Sequence, residues 1–109
     1  MTQGSTPADD VIAEMVRRIV DAAAPEQIIM FGSAARGEMG PNSDVDLLVI
    51  KAGPIHRRHL SQQIHLALYG IPLATDIIVV TPDDVEMHRD NPWRVIYPAL
   101  REGKVLYAA

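Results

Sequence analysis

The 109-residue sequence contains no cysteine, which excludes disulfides and thiolate metal sites. It also has no excess of positive charge. Its 10 Lys and Arg against 14 Asp and Glu give a formal net charge of −4, which argues against a broad nucleic-acid-binding face. No apolar run approaches a membrane span, and the first ten residues lack the basic region and apolar core of a signal peptide. These absences predict a cytoplasmic protein with no membrane partner and no direct nucleic-acid partner.

The apolar content, by contrast, is high at 48%, and this length fits one domain. We expect a flexible tail over residues 1–6 and a single domain over residues 7–109. A helix is predicted to begin at Pro7, with Thr6 as its cap, and to end at Pro25. The further predicted strands are 28–31, 44–50, 74–80 and 104–107. The further predicted helices are a short one that begins with residues 34–36, one over 55–69, one from 82, and one over 92–102 that Pro98 is expected to kink or end. This order predicts an α+β (α/β-like) fold, a small mixed sheet with helices packed on it.

The most informative segment is residues 32–46. A turn opens at Gly32-Ser33, and after ten intervening residues Asp44-Val45-Asp46 enters a predicted strand. Alternate strand residues share a face, so Asp44 and Asp46 point the same way with Cα atoms about 6.6 Å apart. Two such carboxylates can converge on divalent ions roughly 3.5–4 Å apart, the geometry of two-metal displacement at phosphorus. The turn offers N–H groups and a hydroxyl to phosphate oxygens, and the combination predicts nucleotide chemistry.

A third carboxylate, Asp76, interrupts an otherwise apolar strand. A charged side chain there is costly unless it is paired, metal-bound or still in water at the strand start. If the strand carrying Asp76 lies beside the strand of Asp44 and Asp46, three like charges meet. Divalent cations with oxygen ligands would relieve that repulsion, and Mg²⁺ suits carboxylates combined with substrate phosphates.

These residues closely resemble the motif of the polymerase-β-like nucleotidyltransferase superfamily. The strings FGSAARG at 31–37 and SDVDLLV at 43–49 resemble its minimal nucleotidyltransferases, the small antitoxins of prokaryotic toxin–antitoxin pairs. The resemblance runs from about residue 10 to 108 and includes LREGKVLY at 100–107. One departure is that Ala108 stands where the family often has an acidic residue.

The resemblance implies an Mg²⁺-dependent enzyme with ATP as substrate. A hydroxyl would attack the α-phosphorus of ATP and release pyrophosphate. The acceptor would be a tyrosine of a partner HEPN-type RNase toxin, so the chain would act as the antitoxin of a type VII-like pair within a hetero-oligomer. The implied roles are two Mg²⁺ ions on Asp44 and Asp46, ligation and help in deprotonation by Asp76, and triphosphate contacts from Gly32, Ser33 and Arg36.

Several alternatives stay open on the sequence alone. The chain could neutralise a toxin by docking without catalysis, or it could modify a small molecule, although a domain to bind such an acceptor is lacking. Arg36 fits a structural ion pair about equally well. The basic stretch 57–59 is interpreted as a solvated helix face, and His56, His59 and His65 lack partners at zinc-ligand spacing. Trp93 and Tyr97, four residues apart, are expected to pack rather than stack on a base.

Overall fold

The computed structural model describes residues 7–37, 44–91 and 96–109. The predictions for residues 1–6, for the loop at 38–43 and for the helix start at 92–95, Trp93 included, lie outside this part. No described helix combines the length and the apolar character that a membrane span requires. The described elements are α1 (Pro7–Ala23), β1 (Gln27–Phe31), β2 (Val45–Ile50), α2 (Arg57–Ala67), β3 (Thr75–Val80), α3 (Pro82–His88), α4 (Ile96–Glu102) and β4 (Lys104–Ala108).

The strands form one mixed sheet in the order β3-β2-β1-β4. Strand β1 pairs antiparallel with both β2 and β4, whereas β2 pairs parallel with β3. The parallel pair needs a crossover connection, and α2 supplies it. The sheet with its helices confirms the predicted α+β class.

Apolar side chains cover both faces of the sheet, because alternate residues of the central strands point in opposite directions. On the first face, Val45, Leu47 and Val49 of β2 join a core with α1 and α2. On the second face, Leu48 and Ile50 join a smaller core that includes Ile96 and Ala99 of α4. Asp46 is two residues before Leu48, so it lies on the second face, at the end of the sheet where β2 begins.

Two predicted elements differ from the structure. Residues 32–37 form consecutive turns rather than a helix over 34–36, and the segment closes at Gly37, where φ is +73°. Helix α2 is shorter than predicted and is preceded by His56, whose ring accepts a hydrogen bond from the backbone N–H of His59. Pro98 does not end α4, which continues to Glu102. It is the third residue of α4 as described, and at this position its missing N–H costs no bond within the described helix.

Candidate functional site

The register of the parallel pair places Asp46 of β2 directly beside Asp76 of β3. Paired residues on neighbouring strands lie about 4.8 Å apart and point to the same face. Asp44 precedes β2, and the hydrogen bond from the Val45 N–H to the Ala74 carbonyl keeps the two chains together there at 2.9 Å. The structure thus brings the three predicted carboxylates to one end of the second face.

Burial, and then the nearby charges of Asp76 and Asp44, raise the pKa of Asp46 above its ordinary value. Asp46 is half-buried, while Asp44 and Asp76 are exposed. Within the described ranges, no ion pair or side-chain hydrogen bond reaches any of the three carboxylates. Their negative charge is therefore not compensated by this part of the chain.

The turn at residues 32–37 lies against this end of the sheet. Its internal hydrogen bonds include those from the N–H groups of Ala35 and Arg36 to the Gly32 carbonyl, at 3.1 and 3.3 Å. The N–H groups of Ser33 and Ala34, and the Ser33 hydroxyl, donate no hydrogen bond to any other described residue. A turn with unused N–H donors is the kind of backbone that binds phosphate oxygens.

Gly32 provides the close approach between this turn and the carboxylates. A Cβ atom built on Gly32 would lie 2.4 Å from Asp46 Oδ2, and its φ of +73° is a conformation that side chains disfavour. The register of β1 on β2 explains the contact, because Phe31, which precedes Gly32, pairs with Asp46. The sequence predicted Gly32 only as a phosphate contact, and its role in making room for Asp46 needed the strand register.

Arg36 lies on the exposed end of the turn, where its Nη1 is 3.8 Å from Glu102 Oε1. The ion pair that the sequence left open for Arg36 is therefore present. Sequence reasoning did not identify Glu102, since a glutamate at a helix end carries no distinctive signal. Of the predicted site residues, Asp46 is in register with Asp76, and Gly32 lies against Asp46. Ser33 and Arg36 belong to the same turn as Gly32.

The carboxylates offer the oxygen ligands that Mg²⁺ prefers. No group of three or more His, Cys, Asp or Glu side chains in the described ranges is already arranged to hold a metal ion. The three side chains are thus neighbours through the backbone but not a preformed cage, as expected for like charges that separate without a cation. The negative charge left uncompensated by the described residues and the raised pKa of Asp46 both fit a divalent cation there.

The basic stretch 57–59 is exposed, as the sequence predicts, and Arg57 also makes two contacts that the sequence did not reveal. Arg57 Nη2 lies 2.7 Å from Asp84 Oδ2, and Arg57 also donates to the Val79 carbonyl at 3.3 Å. Asp84 in turn completes a capping box with Thr81 at the start of α3. This cluster lies at the finishing ends of β2 and β3, so Arg57 takes no part in the candidate site.

A family model described as a nucleotidyltransferase domain matches residues 11–102. The search of curated protein sequences found no significant match. Among solved structures, the chain is similar to a candidate nucleotidyltransferase from Sulfolobus solfataricus, with 17% identity, a TM-score of 0.63, and coverage of 99% of this chain and 92% of that one.

Two further similar structures are toxin–antitoxin structures, one with AMP-PNP and one a mutant of MntA-HpeT. Each has a TM-score of 0.57 and covers 89% of this chain and 73% of the other, at 20% and 19% identity respectively. At these identities the structural likenesses establish the fold, and the family model establishes the family.

Proposed function

Because this chain belongs to the nucleotidyltransferase domain family, we propose that it transfers AMP from ATP to a hydroxyl of a partner protein. The acceptor we propose is a tyrosine of a HEPN-type RNase toxin, for which the chain acts as the antitoxin. The observation that carries the proposal is the register that sets Asp46 beside Asp76, with the Gly32 turn against them.

The proposed roles follow from where each group lies. The N–H group and hydroxyl of Ser33 directly follow Gly32, which lies against Asp46, and this position suits them to phosphate oxygens. Arg36, on the same turn, adds a guanidinium that matches phosphate geometry. Asp44, Asp46 and Asp76 would hold Mg²⁺. When bound, that metal supplies neutralisation of the developing charge on the α-phosphate and the leaving pyrophosphate.

The reaction forms one bond and breaks one. The acceptor oxygen bonds to the α-phosphorus, the bond from that phosphorus to the oxygen bridging to the β-phosphate breaks, and pyrophosphate leaves. The hydroxyl proton passes to the Asp76 carboxylate, which is exposed and therefore reachable by an incoming side chain. The chain contributes chiefly positioning and charge, which are the main sources of catalysis in phosphoryl transfer.

The toxin partner is supported by two similar structures that are toxin–antitoxin assemblies. One of them contains AMP-PNP, an ATP analogue. The other carries glutamate in place of two aspartates spaced two residues apart, the spacing of Asp44 and Asp46. Asp44 and Asp76 are exposed in the part of the chain that the structure describes, which suits a partner that presents its acceptor beside them.

The test is a transfer assay with ATP labelled at the α-phosphate, Mg²⁺ and the product of the neighbouring gene. We expect label on that protein only when Mg²⁺ is present, and mass spectrometry should locate AMP on a tyrosine. A stable complex without label transfer would contradict the enzymatic proposal and support an antitoxin that acts by binding alone. If the two proteins form no complex and no label is transferred, the proposed antitoxin role is wrong.

A further inference from the structure

An ion pair links the proposed phosphate turn to the end of α4. Glu102, the last residue of α4, lies 3.8 Å from Arg36 through its Oε1 atom. The helix dipole does not favour an acid here, because it disfavours negative charge at the carboxyl end of a helix. The distance is long for a hydrogen bond, so the contact is mainly Coulombic.

The two partners differ in how firmly the fold holds them. The residue after Glu102 is Gly103, whose N–H donates to the Ala99 carbonyl at 2.9 Å. A Cβ on Gly103 would lie 2.1 Å from the Ala99 carbonyl oxygen and 2.5 Å from Ile29 Cγ2, so the backbone there is pressed onto β1. Arg36 instead stands on an exposed turn. Glu102 is therefore attached to the fixed side of the pair.

We propose that Glu102 is a positioning residue for ATP binding, holding the Arg36 guanidinium beside the turn where the triphosphate binds. The carboxylate does not touch the nucleotide, since two anions would repel, and it acts only through Arg36. This inference rests on the proposed function, because it assumes that the turn is the phosphate site. Both side chains are about half exposed, at 48% for Arg36 and 61% for Glu102, so the effect is small but measurable.

The experiment measures steady-state AMP transfer by Glu102→Gln, Arg36→Gln and the double variant. We expect Glu102→Gln to raise the KM for ATP about two- to fivefold while kcat stays within about twofold. In the Arg36→Gln background, Glu102→Gln should have no further effect. Glu86→Gln is the matched control, because Glu86 forms a similar exposed pair with Arg89, at 3.2 Å, on α3 away from the turn.

Three results would overturn the proposal. The first is a Glu102→Gln variant whose KM equals that of the wild type and of Glu86→Gln. The second is a lowered KM, which would make Glu102 a competitor for Arg36. The third is an equal rise in KM with and without Arg36, which would make the effect independent of the pair.

A failure of the proposed AMP transfer can be distinguished from a failure of the positioning role of Glu102. If the wild type transfers no AMP, the affinity for an ATP analogue with a methylene group between the α- and β-phosphates is measured by calorimetry in the presence of Mg²⁺. A weakening in Glu102→Gln but not in Glu86→Gln would then support the positioning role without any transfer. Equal affinities in all three proteins would overturn it.

Discussion

At the two ends of the β2–β3 pair, the pKa values of carboxyl groups are shifted in opposite directions. Where the strands begin, Asp46 faces Asp76 and Asp44, and burial together with these charges raises the pKa of Asp46. Where they finish, the Thr81 backbone N–H and the Arg57 guanidinium hold the pKa of Asp84 below its ordinary range. About 16 Å of strand separates Asp76 from Thr81.

The contrast shows which end serves folding. The lowered pKa of Asp84 contributes stability that is present above its unfolded pKa and is lost as pH falls through its folded pKa. The raised pKa of Asp46 does the reverse, so ionised Asp46 destabilises the fold as pH rises above its unfolded pKa. A fold that keeps such a group with no compensating partner among its described residues is typical of a functional site.

The largest expected effect comes from removing charge at the starting end. Asp44→Asn and Asp46→Asn should each lower AMP transfer by at least about 1,000-fold, because each removes a proposed metal ligand. Circular dichroism should show the fold unchanged. Asp83→Asn, which removes an exposed acid at the other end, is the control and should keep its activity. Near-normal transfer by either site variant would contradict the metal assignment.

Asp76→Asn should separate chemistry from binding. We expect kcat to fall about 100-fold or more, since Asp76 is the proposed proton acceptor, while ATP affinity measured by calorimetry changes little. Complete loss of ATP binding by a folded Asp76→Asn protein would count against this role.

Gly32→Ala tests the close approach of the turn to Asp46. Its Cβ would displace Asp46 Oδ2, so we expect transfer to fall about 100-fold. Gly37→Ala is the matched control, because Gly37 has the same φ of +73° but no described atom within 4 Å of its Cβ. Both variants should lose about 1–2 kcal/mol of stability from the backbone conformation. Equal activity of Gly32→Ala and Gly37→Ala would show that the Gly32–Asp46 contact does not matter for transfer.

Thermal unfolding in Mg²⁺ should reveal the uncompensated charge directly. Mg²⁺ should raise the Tm of the wild type but not that of Asp46→Asn. Without metal, Asp46→Asn should be as stable as the wild type, or more stable by up to about 1 kcal/mol, because a repulsion is removed. Since the pKa of Asp46 is raised, Mg²⁺ affinity should begin to fall at a higher pH than at an ordinary aspartate. A Tm of Asp46→Asn that rises with Mg²⁺ as in the wild type would place the ion elsewhere.

The smallest effect is expected at the finishing end. Thr81→Ala removes the hydroxyl that accepts from the Asp84 N–H at 3.1 Å and should cost about 1 kcal/mol. Transfer activity should not change, and Thr81→Ser should restore the stability. A loss of activity at constant stability would mean that the two ends are coupled.

Much of the fold was readable from local pattern. The apolar periodicity of α1, the Thr81-Pro82 start of α3 and the Gly103 stop after α4 each depend on a few neighbouring residues. The interpretation of residues 34–36 as a helix was wrong, because three helix-compatible residues are too few to propagate beyond one turn before Gly37. The sequence did not reveal the ion pair of the exposed Arg57, because its partner, Asp84, lies 27 residues away on another element.

The sequence by itself determined the kinds of chemical group and their order along the chain: a Gly-Ser turn, two aspartates with one residue between them where a strand begins, and a third acid on a later strand. Only the tertiary structure decided that β2 and β3 are neighbours in parallel, with Asp46 and Asp76 at the same level. It also decided that Gly32 abuts Asp46 and that Glu102 meets Arg36. The reason is physical. Spacing along one strand is set by covalent geometry, whereas the register between strands is set by the burial of both faces of the whole sheet.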